Sequence, residues 1–409
     1  MRIFDLKMKG VGPFKEEYLQ FIGEQDNPEK PPVVIITGEN GTGKTIVLDA
    51  IRGLLFGAYQ YVGRDIFNGV EIILSSKIAI DNQEEQVSFT GIHSHNRDNR
   101  FFTNAQTLNK SFADNQAPFV NVVVNYWLSN LATDSFDIKN IVAPDIKTYL
   151  TGALSGHHKN ISVTQLICYF DYLRGSEAKT EKRLGEFLYQ KLKEIIRLSL
   201  NNGKLAYVSR SDLMPIIEQN GKEVALDKLS SGNLYLIQRM VALLGQMHAV
   251  NRLSNLPIET LCETPGLLLI DEAENHLHPK WQKTFIRNIL EIFPNLQIIL
   301  TTHSPFIVSS VENAKVFVCE ARHDHCVIED ATEEYANKPV EEILLSALFG
   351  ETLPFNETIS ELLDKRKKAI GAGNHSLRKK IESQLQSINP QYFAYFDVDN
   401  LLEQLTTKN

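Results

Sequence analysis

The chain has no long apolar run and little cysteine. No stretch approaches the roughly 18 to 20 consecutive apolar residues that span a bilayer, which argues against a transporter or other membrane protein. Residues Met1 to Asp5 lack the hydrophobic core of a secretory signal, and the four widely placed cysteines do not suggest a disulfide framework. We therefore expect a cytoplasmic protein with no membrane association.

Basic residues are also in deficit. The 409 residues include 42 Lys and Arg against 50 Asp and Glu, a formal net charge of −8 at pH 7. This balance disfavours a surface that coats nucleic acid, although it does not exclude a local basic groove. The apolar share of 43% is ordinary for a globular protein and is enough to build two or three lobes with a substantial core.

The most informative motif is a phosphate-binding loop. Residues 38–45 read Gly-Glu-Asn-Gly-Thr-Gly-Lys-Thr, which matches the pattern G-x-x-x-x-G-K-[ST]. An apolar run at Val33–Thr37 predicts a buried strand before the loop, and an apolar stripe over Ile46–Phe56 predicts a helix after it. Glycines let successive N–H groups face a phosphate at the positive end of that helix. We predict that Lys44 neutralises the terminal phosphates of ATP and that the Thr45 hydroxyl ligates Mg²⁺.

A second apolar run ends in two acids. Leu267–Ile270 predicts a strand buried on both faces, and it delivers Asp271 and Glu272 to its carboxyl end, where α/β sheets bind ligands. Because a carboxylate beside a phosphate needs a cation between them, we predict that Asp271 holds Mg²⁺. Glu272 is then the candidate to orient or deprotonate the attacking water. A structural cap or an ion pair is the alternative interpretation of both acids.

A third apolar run repeats the design. Leu296–Leu300 predicts a strand, and Thr301, Thr302 and His303 follow it at the same sheet edge. A histidine there can donate a hydrogen bond to a γ-phosphate or hold a catalytic water, whereas a lone histidine at a strand end is more commonly a packed structural group. The neighbouring motifs favour the functional interpretation of His303.

Together with the segment Leu229-Ser230-Ser231-Gly232-Asn233, these motifs resemble the ABC ATPase superfamily, in its soluble branch that includes SMC, RecF and OLD-type proteins. The run from Ile270 to Gln282 is especially similar to the RecF and OLD-like group, in which an acid, Leu-His-Pro and Trp-Gln follow the Walker B acids. The resemblance covers the motif-bearing parts of about the first 320 residues. It implies an α/β fold, namely an ABC ATPase head with a mixed sheet around the P-loop core, an antiparallel β-lobe and a helical lobe.

The resemblance also implies that the Ser-Ser-Gly signature lies at a helix N-terminus and caps the γ-phosphate bound by a second copy of the chain. The local sequence agrees, because Ser230 or Ser231 is a good helix cap and an apolar stripe follows. Ser231 and Asn233 replace the family's more common glycine and glutamine. The glutamine-bearing loop that senses Mg²⁺ in this family can be assigned to either Gln60 or Gln86. The predicted nucleotide-binding residues are Asn40, Gly41, Thr42, Gly43, Lys44, Thr45, Ser230, Ser231 and Gly232.

We predict an ATPase domain over residues 1–330, with a helical insert at about 140–225, and a short C-terminal helical region over 331–409. The region after 330 is too short for the metal-dependent Toprim domain of OLD nucleases, so we expect no nuclease centre. Asp397-Val398-Asp399 resembles the acidic pair of that domain but has no supporting strand pattern. Tail helices are predicted at Val340–Leu348, Ile359–Ile370 and Leu377–Leu385.

Two further clusters have ordinary interpretations. The basic runs at 365–368 and 378–380 indicate solvated helix faces, with nucleic-acid contact as the alternative. The other cluster comprises Cys319, His323, His325 and Cys326. Its spacing fits no common zinc site, and its Val-rich flanks favour a hairpin.

An OLD-like ATPase with a moderate insert and a short helical tail is similar in architecture to the PtuA-type ATPases of Septu antiphage systems and of retrons. That resemblance implies homo-oligomers built from ATP-sandwich dimers, a separately encoded HNH nuclease of the PtuB type and, in retron versions, a reverse transcriptase with its RNA–DNA product (msDNA). The alternatives are a RecF-like ATPase of DNA repair or recombination, an AriA-like ATPase that restrains a Toprim effector, and a scaffold that binds ATP without turnover.

Overall fold

The computed structural model describes residues 1–56, 66–80, 83–92, 100–103, 122–129, 136, 138–144, 162–200, 203–346, 348 and 355–396. Outside these residues lie Gln60, the Asp397-Val398-Asp399 segment and, within the predicted insert, residues 145–161. The chain divides into two compact units, Met1–Ile343 and Leu344–Asn409.

Fifteen strands are formed by the described residues. They are β1 (Arg2–Ile3), β2 (Asp5–Val11), β3 (Phe14–Gln20), β4 (Val34–Gly38), β5 (Glu71–Ile80), β6 (Gln83–Ile92), β7 (Arg100–Thr103), β8 (Val123–Trp127), β9 (Gly203–Ser209), β10 (Met214–Gln219), β11 (Lys222–Ala225), β12 (Gly266–Ile270), β13 (Leu296–Thr301), β14 (Lys315–Ala321) and β15 (Cys326–Asp330). Twelve of them form one mixed sheet, in the order β7-β6-β5-β2-β3-β15-β14-β4-β13-β12-β8 with β1 paired to β5.

The half of this sheet that carries the site is parallel. Strands β14, β4, β13, β12 and β8 are parallel neighbours, and their register pairs Val318 with Thr37 and Ile270 with both Leu300 and Trp127. Every residue of β4, β12 and β13 is buried, as expected for apolar runs with sheet neighbours on both edges. The residues that follow these strands therefore share one edge of the sheet.

The other half is antiparallel. In the spatial order β7, β6, β5, β2 and β3, each strand pairs antiparallel with its neighbour. Strand β15 joins them to the parallel half through a parallel contact with β3. The β2–β3 turn reaches the phosphate loop, since Gly12 and Phe14 lie against Ile46 and Gly43 respectively. This antiparallel lobe beside a P-loop core confirms the predicted α/β fold class.

Eleven α-helices are formed by the described residues. They are α1 (Lys44–Phe56), α2 (Val163–Arg174), α3 (Lys179–Ser199), α4 (Ser231–Leu253), α5 (Pro279–Gln282), α6 (Phe285–Ile292), α7 (Pro305–Val308), α8 (Thr332–Tyr335), α9 (Val340–Leu344), α10 (Glu357–Gly371) and α11 (His375–Ile388). Helices α2, α4 and α10 begin at a side-chain cap, because Ser162, Ser230 and Asn356 each accept a hydrogen bond from the backbone N–H three residues further on.

The region predicted as a helical insert is only partly helical. Helices α2 and α3 are followed by a separate three-stranded antiparallel sheet, β11-β10-β9, which packs against both. Sequence patterning underestimated this sheet because its strands are short and half-exposed, with polar residues at many positions. Helix α4, which carries the signature at its start, packs against α2 and α3 and joins this lobe to the main sheet at β8.

The second unit is a helical pair with its own small core. Helices α10 and α11 pack together over a cluster that includes Ile381, Leu385 and Phe393. Glu382 is buried between two arginines and accepts hydrogen bonds from Arg366 at 2.7 Å and Arg378 at 2.8 Å. The observed helices extend the two predicted for this region by a few residues at each end, while α9 is shorter than predicted.

Candidate nucleotide-binding site

The phosphate loop joins β4 to α1 in a conformation that needs glycine. Gly38, Gly41 and Gly43 have φ angles of +137°, +83° and +95°, in the region that L side chains rarely adopt. A Cβ atom on Gly43 would lie 2.7 Å from the Phe14 ring, whereas one on Gly41 would have no atom within 4 Å. The Thr42 hydroxyl closes the loop by donating to the Glu39 carbonyl at 2.9 Å. One side of the loop is thus packed and the other is open.

Lys44 begins α1 and its ammonium lies over the loop. Its Nζ atom donates to the carbonyls of Gly38 at 3.0 Å and Glu39 at 2.7 Å. Burial lowers the pKa of Lys44, and the nearby carboxylates of Glu274 and Glu272 oppose that shift. The cation is therefore held in a partly desolvated position where an anion would be attracted strongly.

Thr45 and Asp271 meet at the sheet edge. The Thr45 hydroxyl donates to Asp271 Oδ1 at 2.8 Å, although 226 positions separate the two residues in the chain. The Thr301 hydroxyl donates to the same oxygen at 2.8 Å. Asp271 itself is fixed by its backbone N–H, which donates to the Trp127 carbonyl at 2.9 Å. The hydroxyl and carboxylate that we predicted as Mg²⁺ ligands are thereby brought together.

Glu272 follows on a backbone that turns sharply. Its φ angle is +50°, which is uncommon for a residue with a side chain, and its N–H donates to the Thr301 hydroxyl at 2.8 Å. The side-chain amide of Asn275 donates to Glu272 Oε2 at 2.6 Å. Asn275 therefore sets the direction of the Glu272 carboxylate while Thr301 fixes its backbone, and sequence reasoning gave neither residue a role.

His303 lies beside the phosphate loop. Burial lowers the pKa of its imidazole, and the Lys44 cation lowers it further, while a hydrogen bond with the Gly38 backbone and the charge of Glu274 act in the opposite direction. The ring is therefore favoured in its neutral form near pH 7, in which one nitrogen donates and the other accepts. The structure thus places His303 next to Lys44 and Gly38, as its position after β13 predicted.

Glu274 is a part of this edge that sequence reasoning did not single out. Its two carboxylate oxygens accept hydrogen bonds from the Thr302 hydroxyl and from the His303 backbone N–H, both at 2.6 Å. The acid was visible only as part of the run after Asp271, and no spacing rule connects it to a loop 29 positions away. Its role becomes apparent only from the hydrogen bonds.

The Ser-Ser-Gly signature at the start of α4 contacts His276, in the segment that follows Glu272. The Ser230 hydroxyl accepts from the Asn233 N–H and caps α4, as predicted for Ser230 or Ser231. A Cβ atom on Gly232 would lie 2.3 Å from the His276 carbonyl oxygen, and the Tyr235 ring contacts the His276 ring. The tip of α4 is therefore packed on the chain that follows Glu272.

The residues present fit a magnesium nucleotide. The loop offers an open side at Gly41 next to a desolvated cation, and Thr45 with Asp271 supplies oxygen ligands of the type Mg²⁺ prefers. In the described part of the chain, no group of three or more His, Cys, Asp or Glu side chains is arranged to hold a metal ion. Cys319 and Cys326 instead lie buried on the paired strands β14 and β15, within the core.

Gln86, one of the two candidates for the glutamine-bearing loop, lies within β6, where it pairs with Lys77. Gln60 is outside the described residues.

Comparison with known proteins gives a family and several relatives. The family described as "AAA domain, putative AbiEii toxin, Type IV TA system" matches residues 33–309, a span that begins just before the phosphate loop and ends after His303. The chain is similar to the Retron Vc95 probable ATPase of Vibrio cholerae serotype O1 biovar El Tor, at 26% identity over 47% of this chain and 38% of the relative. It is also similar to the Septu protein PtuA of Bacillus mycoides, at 23% identity over 91% of this chain and 48% of the relative.

The chain thus spans less than half the length of these two curated relatives. Among solved structures, the SMC head domain from Thermotoga maritima aligns with 81% of this chain and 99% of its own, at 15% identity and a TM-score of 0.43. In the part of the chain that the structure describes, no helix has both the length and the apolar composition needed to cross a bilayer.

Proposed function

The chain belongs to the P-loop ATPase family described as AAA domain, putative AbiEii toxin, and we propose that it binds and slowly hydrolyses ATP between paired copies of itself, so that nucleotide state regulates a partner nuclease in antiphage defence. The family match and the similarity to retron and Septu ATPases support the classification made from the motifs. The observation that carries the chemical part of the proposal is the contact of Thr45 with Asp271 beside Lys44.

Each residue at this edge has a proposed task in hydrolysis. Lys44 and the amides of the loop would hold the β- and γ-phosphates, and Thr45 with Asp271 would hold Mg²⁺, which would neutralise phosphate charge. Glu272, directed by Asn275 and Thr301, orients or deprotonates the attacking water. We propose that His303, beside Lys44 and the Gly38 backbone, donates a hydrogen bond to the γ-phosphate.

The second half of the site is proposed to come from another copy. The tip of α4, with Ser231 and Gly232, is packed on the His276 segment of its own chain. Helix α4 has 23 residues, and its capped N-terminus presents backbone N–H groups and the positive end of the helix dipole, which suit a terminal phosphate. Closing and opening of such a pair gives the protein two states, and a partner that binds them with different affinity would respond to the nucleotide.

The partner is proposed from the relatives alone. Similarity to a retron ATPase and to a Septu protein supports a defence role, with a separately encoded HNH nuclease as the effector and, in a retron, a reverse transcriptase with its msDNA. Co-expression with the adjacent gene products, followed by mass measurement of the purified complex, tests this part. Recovery of the ATPase alone, beside genes of DNA replication, would favour the repair alternative.

The ATPase part is tested with two substitutions. Lys44→Ala should abolish nucleotide binding, whereas Glu272→Gln should keep binding, stop turnover and accumulate the paired form, measured by mass photometry with ATP. Lys222→Ala, a change at an exposed lysine of β11, serves as the control. Because the site is shared, specific activity should rise with protein concentration until pairing saturates. Turnover by Glu272→Gln at the unmutated rate would refute the base assignment, and concentration-independent turnover by a proven monomer would refute the shared site.

A further inference from the structure

The loop that carries His303 is attached to the segment after Asp271 at four successive residues. Thr301 contacts Asp271 and the Glu272 N–H, Glu274 accepts from the next two residues, and the Ser304 hydroxyl donates to Gln282 Oε1 at 2.5 Å. The Gln282 amide is itself fixed, because it donates to the Leu277 carbonyl at 2.8 Å. The loop therefore has little freedom to move without breaking one of these bonds.

Among these contacts, that of Glu274 reaches His303 directly. One carboxylate oxygen accepts from the His303 N–H and the other from the Thr302 hydroxyl, so a single side chain fixes both the peptide plane before His303 and the residue preceding it. Hydrogen bonds to an ionised acceptor are stronger than neutral ones, and both distances, 2.6 Å, are short. The direction in which the imidazole leaves the backbone thus depends on the Glu274 carboxylate.

Glu274 is also placed where its charge acts on the phosphate side of the site. Burial lowers the pKa of Lys44 and of His303, and the negative charge of Glu274 opposes both shifts. Its backbone lies between the two reversals of the segment, at Glu272 and His276, whose φ angles are +50° and +64°. Both reversals point to a segment shaped to deliver this acid to the neighbouring strand's loop rather than to solvent.

We propose that Glu274 is a positioning residue for ATP hydrolysis, which holds the His303 loop in register with the γ-phosphate through the Thr302 hydroxyl and the His303 amide. The inference rests on the proposed ATPase function and adds to it a residue that touches neither nucleotide nor metal. It predicts that Glu274 affects turnover and leaves nucleotide binding nearly unchanged, and that its effect passes through His303.

The substitutions Glu274→Ala and Glu274→Gln separate the two parts of the contact. Alanine removes both acceptors, whereas glutamine keeps one carbonyl oxygen for the His303 N–H and offers the Thr302 oxygen a donor instead. We expect kcat to fall about tenfold or more for Glu274→Ala and to recover partly in Glu274→Gln, with ATP affinity within about threefold of the unmutated protein. Glu312→Ala, at an exposed acid of the same unit, is the control and should change neither quantity.

A double-mutant cycle with His303→Ala distinguishes positioning from a general structural effect. If Glu274 acts through His303, adding Glu274→Ala to His303→Ala should lower kcat by less than about threefold, since the loop no longer carries the group being positioned. Equal losses in both backgrounds, or an unchanged kcat in Glu274→Ala alone, would overturn the proposal.

Hydrogen–deuterium exchange supplies a readout that does not need turnover. Glu274→Ala should speed amide exchange in peptides covering 301–306 of the nucleotide-free protein, and Glu312→Ala should not; unchanged exchange would show that Glu274 does not hold the loop. An unmutated protein that binds ATP without hydrolysing it would instead refute the proposed ATPase function, so the two failures are distinguishable.

Discussion

The packing of the phosphate loop predicts that two of its glycines differ in how much they tolerate a side chain. Gly41 and Gly43 both have left-handed φ angles, +83° and +95°, so alanine at either position should cost about 1 to 2 kcal/mol of backbone strain. At Gly41 no protein atom opposes the new Cβ, because none lies within 4 Å. If the free loop relaxes and the strain appears on binding, Gly41→Ala should weaken ATP affinity about 5- to 30-fold.

Alanine at Gly43 meets a second obstacle. Its Cβ would lie 2.7 and 2.9 Å from two atoms of the Phe14 ring and 2.9 Å from the Pro13 ring, and overpacking of this kind costs about 1 to 3 kcal/mol more. Phe14 is only 2% exposed and cannot swing into solvent, so the loop must shift instead. The combined cost of about 2 to 5 kcal/mol corresponds to a loss of affinity of about 30-fold up to several thousand-fold.

Isothermal titration calorimetry with a non-hydrolysable ATP analogue measures both affinities. Replacing Phe14 by leucine removes the ring atoms that Cβ meets, so the double variant Gly43→Ala with Phe14→Leu should recover toward the affinity of Gly41→Ala. Phe14→Leu alone, with circular dichroism to confirm folding, is the control. Equal damage from Gly41→Ala and Gly43→Ala, or no recovery in the double variant, would refute this account of the loop.

Three further predictions follow from charges that the structure buries or crowds. His248 on α4 is 2% exposed, and burial lowers its pKa from 6.5 to about 4, so that on acidification the unfolded chain binds the proton before the folded chain does. The free energy of unfolding should therefore be highest above pH 6.5 and fall by about 3 kcal/mol as the pH drops to 4. Thermal unfolding at several pH values measures this dependence, which should be weaker in His248→Phe. Glu382→Ala removes the buried carboxylate that pairs with Arg366 and Arg378, and it should destabilise the second unit by about 3 to 5 kcal/mol, measured as faster hydrogen exchange in α11. Glu361→Ala removes only the exposed pair with Lys365 and should cost under about 1 kcal/mol. Asp271→Asn should weaken ATP binding in Mg²⁺ yet strengthen it in EDTA, because the carboxylate that is proposed to hold the cation would repel a triphosphate without Mg²⁺. A loss of affinity under both conditions in fluorescence titrations would contradict that explanation.

The parts of the fold that could be predicted from sequence are those with a strong local pattern. The predominantly apolar runs before Gly38, Asp271 and Thr301 gave their strands to within a residue or two, because a strand buried on both faces is apolar at most of its positions. The strands β9 to β11 were not predicted, since their half-exposed residues carry no clear alternation and a β-bulge at Ile216 and Ile217 interrupts the pairing.

The site shows the same division. The phosphate loop and the acids after β12 could be identified because backbone chemistry fixes their residue types at short spacing. Glu274, Asn275 and Thr301 could not, because what matters for them is a hydrogen bond to a side chain or loop on a different strand, and many residue types satisfy such a bond. Position along the chain carries no signal for a contact of that kind.

One short segment contacts both halves of the proposed site. Through Glu274 it holds the loop of His303, and through His276 it supports the tip of α4, where the Gly232 Cα approaches the His276 carbonyl too closely for any side chain. Since Glu272 and His276 both occupy left-handed conformations, the backbone between them cannot shift gradually without leaving two narrow energy wells. In the proposed pair, a displacement of the α4 tip by a phosphate on a second copy would therefore act on Glu272 and His303 of its own chain through the His276 and Glu274 contacts. The segment after Asp271 is thus tightly hydrogen-bonded because its residues hold two neighbouring elements, the His303 loop and the start of α4.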